Sequence, residues 1–319
     1  MIELIVNKNK EGKIIAAVEN GKLVEIYEEN EQSQKARNEG NIYLGIVKDI
    51  VPGMQAAFVD IGTEKNSFIH VKDIVPQVDE KVEKRIEAKI KDVAKSGQKI
   101  LIQIQKDSND KKGARTSTHI KLTGKYVVLM PNTNIVTISQ KIENETEKER
   151  LLKLVKKDLP ENTGAIVRTA AVKKSEKELK ADLEQLLNKW EKIKNKFEKA
   201  SNKPQLLYKS PSIVEKIILD LPENRIEKIA VNDKEEYKNI EEMLQEMGEN
   251  IKLEIHNNIL EKYDLERQIE NSKQRKIWLN CGGFITIDQT EALVAIDVNS
   301  GKFTGKENIE KTALKVNKE

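Results

Sequence analysis

Short apolar runs separated by turn-forming residues fill the first third of the chain. An Asn20-Gly21 pair lies between two such runs within residues 4–26, and Asn-Gly in that position predicts a β-hairpin. The runs that follow are short and closely spaced, which is typical of a small antiparallel barrel. They cover residues 41–50, 56–61, 67–71 and 100–105.

The middle of the chain contains a stretch with the period of a helix. Ser175 and Glu178 stand in the Ser-x-x-Glu order of a capping box, so a helix is predicted to begin there. Apolar residues then recur at helical spacing, and we expect this stripe to pack on a core while the Lys/Glu-rich opposite face is solvated. The stripe comprises Leu179, Leu183, Leu186, Leu187, Trp190, Ile193 and Phe197.

Shorter patterns predict the remaining elements, which alternate between strands and helices. Residues 201–204 have the composition of a linker, because they combine polar residues with a proline. The predicted strands are 126–130, 165–167, 226–231, 284–287 and 292–296, and the predicted helices are 213–219 and 240–247.

The composition excludes some kinds of site and some kinds of protein, but it does not identify the function. The 319 residues exceed a typical single domain, so more than one core is expected. The 56 Lys and Arg nearly balance the 53 Asp and Glu, so a nucleic-acid-binding surface would have to come from local clusters. A single cysteine, Cys281, excludes an intrachain disulfide and a zinc site of several cysteines within this chain. With no leader and no apolar run long enough to span a bilayer, we expect a cytoplasmic protein.

Three local features could carry chemistry. Phe58 and Phe68 lie on consecutive predicted strands, where aromatic rings can stack unpaired bases. The strand pattern alone favours the alternative that both rings fill the barrel interior. Arg168 and Thr169 at a strand end could hold a phosphate, although an isolated arginine is usually an ordinary surface residue. Asp297 ends an apolar strand and could hold Mg²⁺, or could be a turn-initiating aspartate bonded to the backbone.

Other catalytic chemistries lack their residues. The three histidines are scattered and form no metal-ligand or acid–base spacing, which disfavours metal-independent catalysis by a pair of histidines. No glycine-rich phosphate loop and no Gly-x-Ser-x-Gly elbow occurs in the sequence.

Five stretches together resemble one family. Residues 40–43 (Gly-Asn-Ile-Tyr) and 51–62 (Val-Pro-Gly-Met-Gln-Ala-Ala-Phe-Val-Asp-Ile-Gly) resemble the S1 domain of the RNase E/G ribonucleases. Residues 126–131 (Tyr-Val-Val-Leu-Met-Pro) and 167–170 (Val-Arg-Thr-Ala) resemble the family's 5′-sensor region. Residues 290–301 (Thr-Glu-Ala-Leu-Val-Ala-Ile-Asp-Val-Asn-Ser-Gly) resemble its catalytic signature. Because the matches follow the family's order, the sequence is identified as a member of it.

The resemblance implies an α+β multidomain architecture. An RNase H-like subdomain would be built from residues 1–38 and 211–276. An S1 RNA-binding domain, an OB-type β-barrel, would occupy residues 39–118, and the 5′-sensor region residues 119–210. Residues 277–319 would begin a DNase I-like catalytic subdomain.

The resemblance also implies the activity and its residues. The expected function is Mg²⁺-dependent cleavage of single-stranded A/U-rich RNA with sensing of a 5′ monophosphate, in ribosomal RNA processing and messenger RNA decay. A metal-activated water would attack the phosphodiester. Asp297 would bind the metal, and Asn299 would orient the catalytic site. The residues implied to contact RNA are Phe58, Phe68 and Lys112 on the barrel, and Gly124, Val128, Arg168 and Thr169 around the 5′ end.

Two parts of the family pattern have no match before Glu319. These are the second metal-binding aspartate and the paired-cysteine zinc motif that joins protomers. We therefore expect a C-terminally truncated chain that binds Mg²⁺ weakly and cuts little or no RNA alone. A homo-oligomer is implied for the full-length protein, and the state of this chain is left open. The rival hypothesis is a non-catalytic S1-type RNA-binding protein in which Asp297 is only a turn residue.

Overall fold

The computed structural model describes residues 1–30, 38–74, 88–108, 112–221, 225–290, 293–302 and 308–319. Contacts within the chain divide it into two units. The first unit joins Met1–Glu28 to Ile226–Glu319, and the second is Glu29–Arg225. The sequence prediction drew the corresponding boundaries after residues 38 and 210.

The described residues before residue 145 are mostly strands, and helices become frequent after it. The strands are β1 (Ile2–Lys8), β2 (Gly12–Glu19), β3 (Lys22–Asn30), β4 (Ile42–Val51), β5 (Ala56–Asp60), β6 (Ser67–His70), β7 (Lys99–Lys106), β8 (Arg115–Ser117), β9 (Leu122–Thr123), β10 (Val127–Pro131), β11 (Val136–Ile138), β12 (Thr163–Val167), β13 (Gln205–Tyr208), β14 (Ile226–Val231), β15 (Lys252–Ile255), β16 (Lys276–Trp278), β17 (Phe284–Gln289) and β18 (Val294–Asn299). The helices are α1 (Ile90–Val93), α2 (Glu145–Asp158), α3 (Glu176–Lys199), α4 (Ile213–Asp220), α5 (Lys234–Met247), α6 (Ile259–Lys262), α7 (Leu265–Ser272) and α8 (Ile309–Lys318).

The first unit contains a five-stranded mixed sheet in the order β15-β14-β1-β2-β3. Strand β1 runs antiparallel to β2 and parallel to β14, which is itself parallel to β15. Asn20 and Gly21 take φ values of 52° and 75° between β2 and β3, so the predicted hairpin is confirmed. The core on this sheet consists of Ile5, Ala16, Val18, Ala230, Ile259, Leu265 and Ile269.

A second sheet of the same unit has three antiparallel strands in the order β16-β17-β18. Strands β17 and β18 form the hairpin that the sequence predicts near residues 284–296. Residues 291 and 292 of the catalytic signature lie outside the described residues. Val316 of α8 is buried, whereas most of β18 is exposed to solvent.

The second unit contains the predicted barrel. Its strands follow the order β4-β5-β6-β8-β7, and the pairing of β4 with β7 closes the cylinder. Strand β13 adds to the barrel by pairing with β4, although the sequence predicts no strand there. The barrel core comprises Tyr43, Val47, Ala57, Val59, Ile61, Ile69, Ile74, Ile90, Ala94, Ile100, Ile102, Ile104 and Ala114.

A four-stranded sheet in the order β11-β12-β10-β9 completes the second unit. Helix α3 packs on this sheet and begins at the predicted capping box, where Ser175 accepts from the Glu178 backbone N–H. The predicted apolar stripe is confirmed as a packing face, because Leu183 and Trp190 are among its buried residues. The mixture of helices, sheets and a closed barrel agrees with the predicted α+β class.

Candidate functional site

Two phenylalanines lie side by side on the outer surface of the barrel. Phe58 of β5 is the register partner of Phe68 on β6, and their ring centroids are 6.0 Å apart in an edge-to-face arrangement. Side chains alternate across a strand, and here Ala57, Val59 and Ile69 occupy the inward positions. Both rings are therefore half-buried outside the core. The prediction that they fill the barrel interior is wrong.

Cationic residues lie on and just before β8, the strand that pairs with β6. Lys112 is exposed in the segment that precedes β8. Arg115 of β8 is the register partner of Phe68, and its guanidinium donates to Asp73 Oδ2 at 3.0 Å. Arg115 was missed by the sequence reasoning, because its distance from Phe68 along the chain hides their pairing. The face thus combines two aromatic rings with positive charge, as single-strand-binding surfaces do.

A cavity of about 410 Å³ lies on the barrel beside Arg115. Lys106, His119 and Lys121 also line it. Burial holds the pKa of His119 below its ordinary value, and the negative charge of Asp73 opposes that effect. The cavity wall therefore carries lysine and arginine charges around an imidazole whose neutral form is favoured.

Arg168 is anchored from several sides at the end of β12. Its Nη1 donates to the backbone oxygens of Gly124 at 2.7 Å and Leu219 at 3.0 Å. Its Nη2 donates to Asp220 Oδ1. The side chain is 18% exposed, so the guanidinium is largely enclosed yet reachable from solvent.

The loop around Gly124 is held in place by a carboxylate. Asp182 of α3 accepts from the backbone N–H groups of Lys125, Tyr126 and Val127, at 3.0, 2.8 and 3.0 Å. A side chain at Gly124 would meet the Asp182 carboxylate, because a Cβ atom there would lie 2.6 Å from Oδ1. Asp182 was missed by sequence reasoning, which placed the polar face of α3 in solvent.

The other two predicted 5′-end residues are Val128, which lies on β10, and Thr169, which lies just after β12. Val128 of β10 is half-buried and is the register partner of Ile166 on β12. Thr169 is exposed and begins the short 3₁₀ turn that follows Arg168. The structure thus brings Gly124 and Arg168 into direct contact, with Val128 on the neighbouring strand β10 and Thr169 next to Arg168 in the turn.

Asp297 lies within β18 opposite Thr286 of β17. Its Oδ2 accepts from the Asn299 side-chain amide at 2.6 Å. The reading of Asp297 as a turn-initiating residue bonded to the backbone is wrong, because the residue is inside a paired strand. Both predicted catalytic side chains are therefore adjacent.

The residues around Asp297 offer a limited set of metal ligands. Nowhere in the described ranges do three or more His, Cys, Asp or Glu side chains gather where they could hold a metal ion. The carboxylate of Asp297 and the amide oxygen of Asn299 are hard oxygen donors, which suit Mg²⁺ when water supplies the other ligands. None of the described helices combines the length and the apolar character needed to cross a membrane.

Comparison with known proteins gives two family matches. Residues 121–319 match the Ribonuclease E/G family, and residues 37–105 match the S1 RNA binding domain. The chain is 35% identical to Ribonuclease G of Salmonella typhimurium over 99% of its own length and 66% of that protein. It is 37% identical to Ribonuclease G of Haemophilus influenzae with the same coverage. It is 34% identical to Ribonuclease E of a Nostoc species over 87% of its length and 41% of that protein.

Proposed function

The chain belongs to the Ribonuclease E/G family. We propose that it functions as an endoribonuclease that acts on single-stranded A/U-rich RNA and recognises the 5′ monophosphate of that RNA. It spans 66% of the length of the Ribonuclease G relatives, so the activity of those whole proteins is part of the proposal. In this proposal the Phe58–Phe68 face of the S1 barrel stacks bases, and Lys112 contacts the backbone.

The anchoring of Arg168 is the observation that carries the proposal. Its guanidinium donates to the backbone oxygens of Gly124 and Leu219, whose positions are set by the fold. A planar guanidinium can donate two parallel bonds to a phosphate, and the hydroxyl of neighbouring Thr169 can add a third. Gly124 and Val128 would then border the 5′-terminal nucleotide.

The catalytic part of the proposal rests on Asp297 and Asn299. Asp297 would hold Mg²⁺, and Asn299 would keep its carboxylate oriented through the amide bond already present. When bound, Mg²⁺ would supply positive charge to the scissile phosphodiester. Because Asp297 is exposed and the described residues gather no further ligands around it, we expect Mg²⁺ to bind weakly and cleavage by the 319-residue chain to be slow or absent.

The finer architecture is also a proposal. We assign the five-stranded sheet to an RNase H-like subdomain, because three antiparallel strands there continue into two parallel ones. We assign residues from 277 onwards to a DNase I-like catalytic subdomain and residues 119–210 to the 5′ sensor. From family membership we further propose a cytoplasmic homo-oligomer that acts on ribosomal precursors and messenger RNA, with a zinc-binding cysteine motif in its full-length members.

The test uses one short A/U-rich RNA that carries either a 5′ monophosphate or a 5′ hydroxyl. Binding to the chain is measured by fluorescence anisotropy with and without Mg²⁺, and cleavage is followed on a gel. We expect tighter binding of the monophosphate form, and we expect Arg168→Ala to abolish the preference. Equal binding of both forms by the unaltered chain would refute the 5′-sensing proposal.

The exposed position of Asp297 also favours a second candidate, an S1-type RNA-binding protein without catalysis. The same gel separates the two functions. Mg²⁺-dependent cleavage that disappears in Asp297→Asn supports the enzyme, and selective binding with no cleavage at any Mg²⁺ concentration supports the binding protein.

A further inference from the structure

The two terminal nitrogens of the Arg168 guanidinium have different kinds of partner. Nη1 is held by the backbone oxygens of Gly124 and Leu219, which are parts of the fold itself. Nη2 is held by a side chain, the carboxylate of Asp220. A carboxylate and a phosphate offer the same kind of charged oxygen acceptor to a guanidinium. Asp220 therefore occupies the position that a phosphate ligand would take.

Asp220 is placed so that it can leave this position at small cost. Its side chain is 69% exposed, whereas that of Arg168 is 18% exposed. Asp220 is the last residue of α4, and a negative charge there is repelled by the carbonyl end of the helix. Once released, the carboxylate would be solvated, and the repulsion from the helix end would fall.

A cavity beside the contact gives the incoming group room. Its volume is about 290 Å³, and Leu219 and Asp220, the two α4 residues that contact Arg168, both line it. Lys121 and Lys216 add positive charge to the same wall. Tyr208 lines it too, with its pKa raised to about 12 by burial, so the ring stays neutral.

We propose that Asp220 is a built-in competitor for the 5′ phosphate, and that RNA binds Arg168 by exchanging with this carboxylate. The inference rests on the proposed 5′-monophosphate site. A 5′ monophosphate carries more charge than a carboxylate and can displace it. A 5′ hydroxyl carries none and leaves Asp220 in place. Asp220 thus lowers the affinity for monophosphorylated RNA while leaving the affinity for 5′-hydroxyl RNA unchanged.

The test replaces the competitor by its neutral isostere. Asp220→Asn is expected to tighten binding of the 5′-monophosphate RNA by about two- to fivefold, the range set by the strength of exposed ion pairs. Binding of the 5′-hydroxyl RNA should stay unchanged, so the ratio of the two dissociation constants rises. Both constants are measured with the full chain at one salt concentration.

A matched control separates exchange from simple removal of negative charge. Glu39 is exposed and lines the same cavity without contacting Arg168 through its side chain. Glu39→Gln should therefore alter the affinities for both RNAs by the same factor and leave their ratio unchanged. An equal tightening of both RNAs by Asp220→Asn would show a general charge effect and overturn the proposal.

The remaining outcomes are also decisive. If the Asp220→Asn variant binds the monophosphate RNA more weakly, Asp220 orients Arg168 for its ligand. If the ratio of the two dissociation constants is unchanged, no exchange occurs. Either result overturns the inference about Asp220. The 5′-sensing proposal survives both results if the unaltered chain binds the monophosphate RNA more tightly and the Arg168→Ala variant binds both RNAs equally. If the unaltered chain shows no preference, the proposed function itself has failed.

Discussion

Arg168 directly follows a strand of apolar residues and Asp297 lies within another, yet the surroundings of the two residues differ. The strand before Arg168 is part of the core, and Val167 is 0% exposed. The strand that carries Asp297 is open to solvent, with Ile296 and Val298 exposed by 60% and 48%. Arg168 sits on a buried scaffold, whereas Asp297 sits on a strand at the edge of the sheet that the described residues form.

The hydrogen bonds also hold Arg168 more firmly than Asp297. Arg168 is held by backbone oxygens, and the neighbouring loop is held by Asp182. Asp297 is bonded to Asn299, a side chain on its own strand. A site already held in its binding geometry loses little entropy when its ligand arrives. The difference teaches that the proposed 5′-end site is preorganised and that the proposed catalytic pair is not, and four predictions test this contrast.

The largest effect is expected for Asp182→Ala. Three backbone N–H groups would lose a charged acceptor, so the free energy of unfolding should fall by about 2–4 kcal/mol in urea denaturation. Glu184→Ala on the same helix is the control, because its carboxylate is exposed and lies 4.0 Å from Lys180; we expect a change within about 0.5 kcal/mol. A small effect of Asp182→Ala would break the contrast, since the loop near Arg168 would then need no support.

The aromatic face should give the next largest effect. Phe58→Ala or Phe68→Ala should weaken RNA binding by about 1–3 kcal/mol, which is the loss of one stacked base. Anisotropy titrations give the dissociation constants. Met54→Ala is the control, because Met54 is an exposed apolar residue of the same unit (55%), and its loss should leave RNA affinity unchanged. If all three variants behaved alike, the pair would have no special part in binding.

Paired valine substitutions compare the two strands directly. Val167→Ala should lower the free energy of unfolding by about 2 kcal/mol, because it removes buried methyl groups and leaves a cavity. Val298→Ala should cost less than about 1 kcal/mol, because that side chain is half exposed. Equal losses in chemical denaturation would show that β18 is as well packed as β12 and would remove the contrast.

The smallest effect on stability is expected for Asp297→Asn. The free energy of unfolding should change by no more than about 0.5 kcal/mol, while the weak Mg²⁺ binding that we expect calorimetry to detect in the unaltered chain should be lost. Asp288→Asn, on the neighbouring strand, breaks an ion pair with Arg275 and should leave Mg²⁺ binding intact. If Asp288→Asn lost Mg²⁺ binding and Asp297→Asn kept it, the metal would not be bound by Asp297.

Much of the fold could be predicted from the sequence, because period and turn chemistry are local properties. The Asn20-Gly21 hairpin and the capping box at Ser175 are both signalled by adjacent residues. Strand β13 (Gln205–Tyr208) could not be predicted in this way. Its four residues lack a strand pattern of their own, and they form a strand by pairing with β4, which is far away in sequence.

The sequence names candidate site residues, which stay predictions, but it does not show the side chains that hold them in place. Asp182 resembles any polar residue on the outer face of a helix, and its three backbone partners are visible only in three dimensions. Asp220 likewise gives no signal in the sequence. The sequence does not show which residues of β5 face inward, because the strand begins with two adjacent alanines, Ala56 and Ala57, and both are buried. The pattern alone therefore cannot tell whether Phe58 faces the barrel interior.

Amide hydrogen exchange, resolved residue by residue, tests the central contrast most directly. The amides of Tyr126, Val127 and Arg168, which donate to Asp182 or to the Tyr126 carbonyl, should exchange only on opening of the surrounding structure. The amides of β18 around Asp297 should exchange much faster by local opening of an exposed strand. Equal protection at the two places, in the absence of RNA, would contradict the claim that the chain holds a preorganised recognition site and an unsupported catalytic strand.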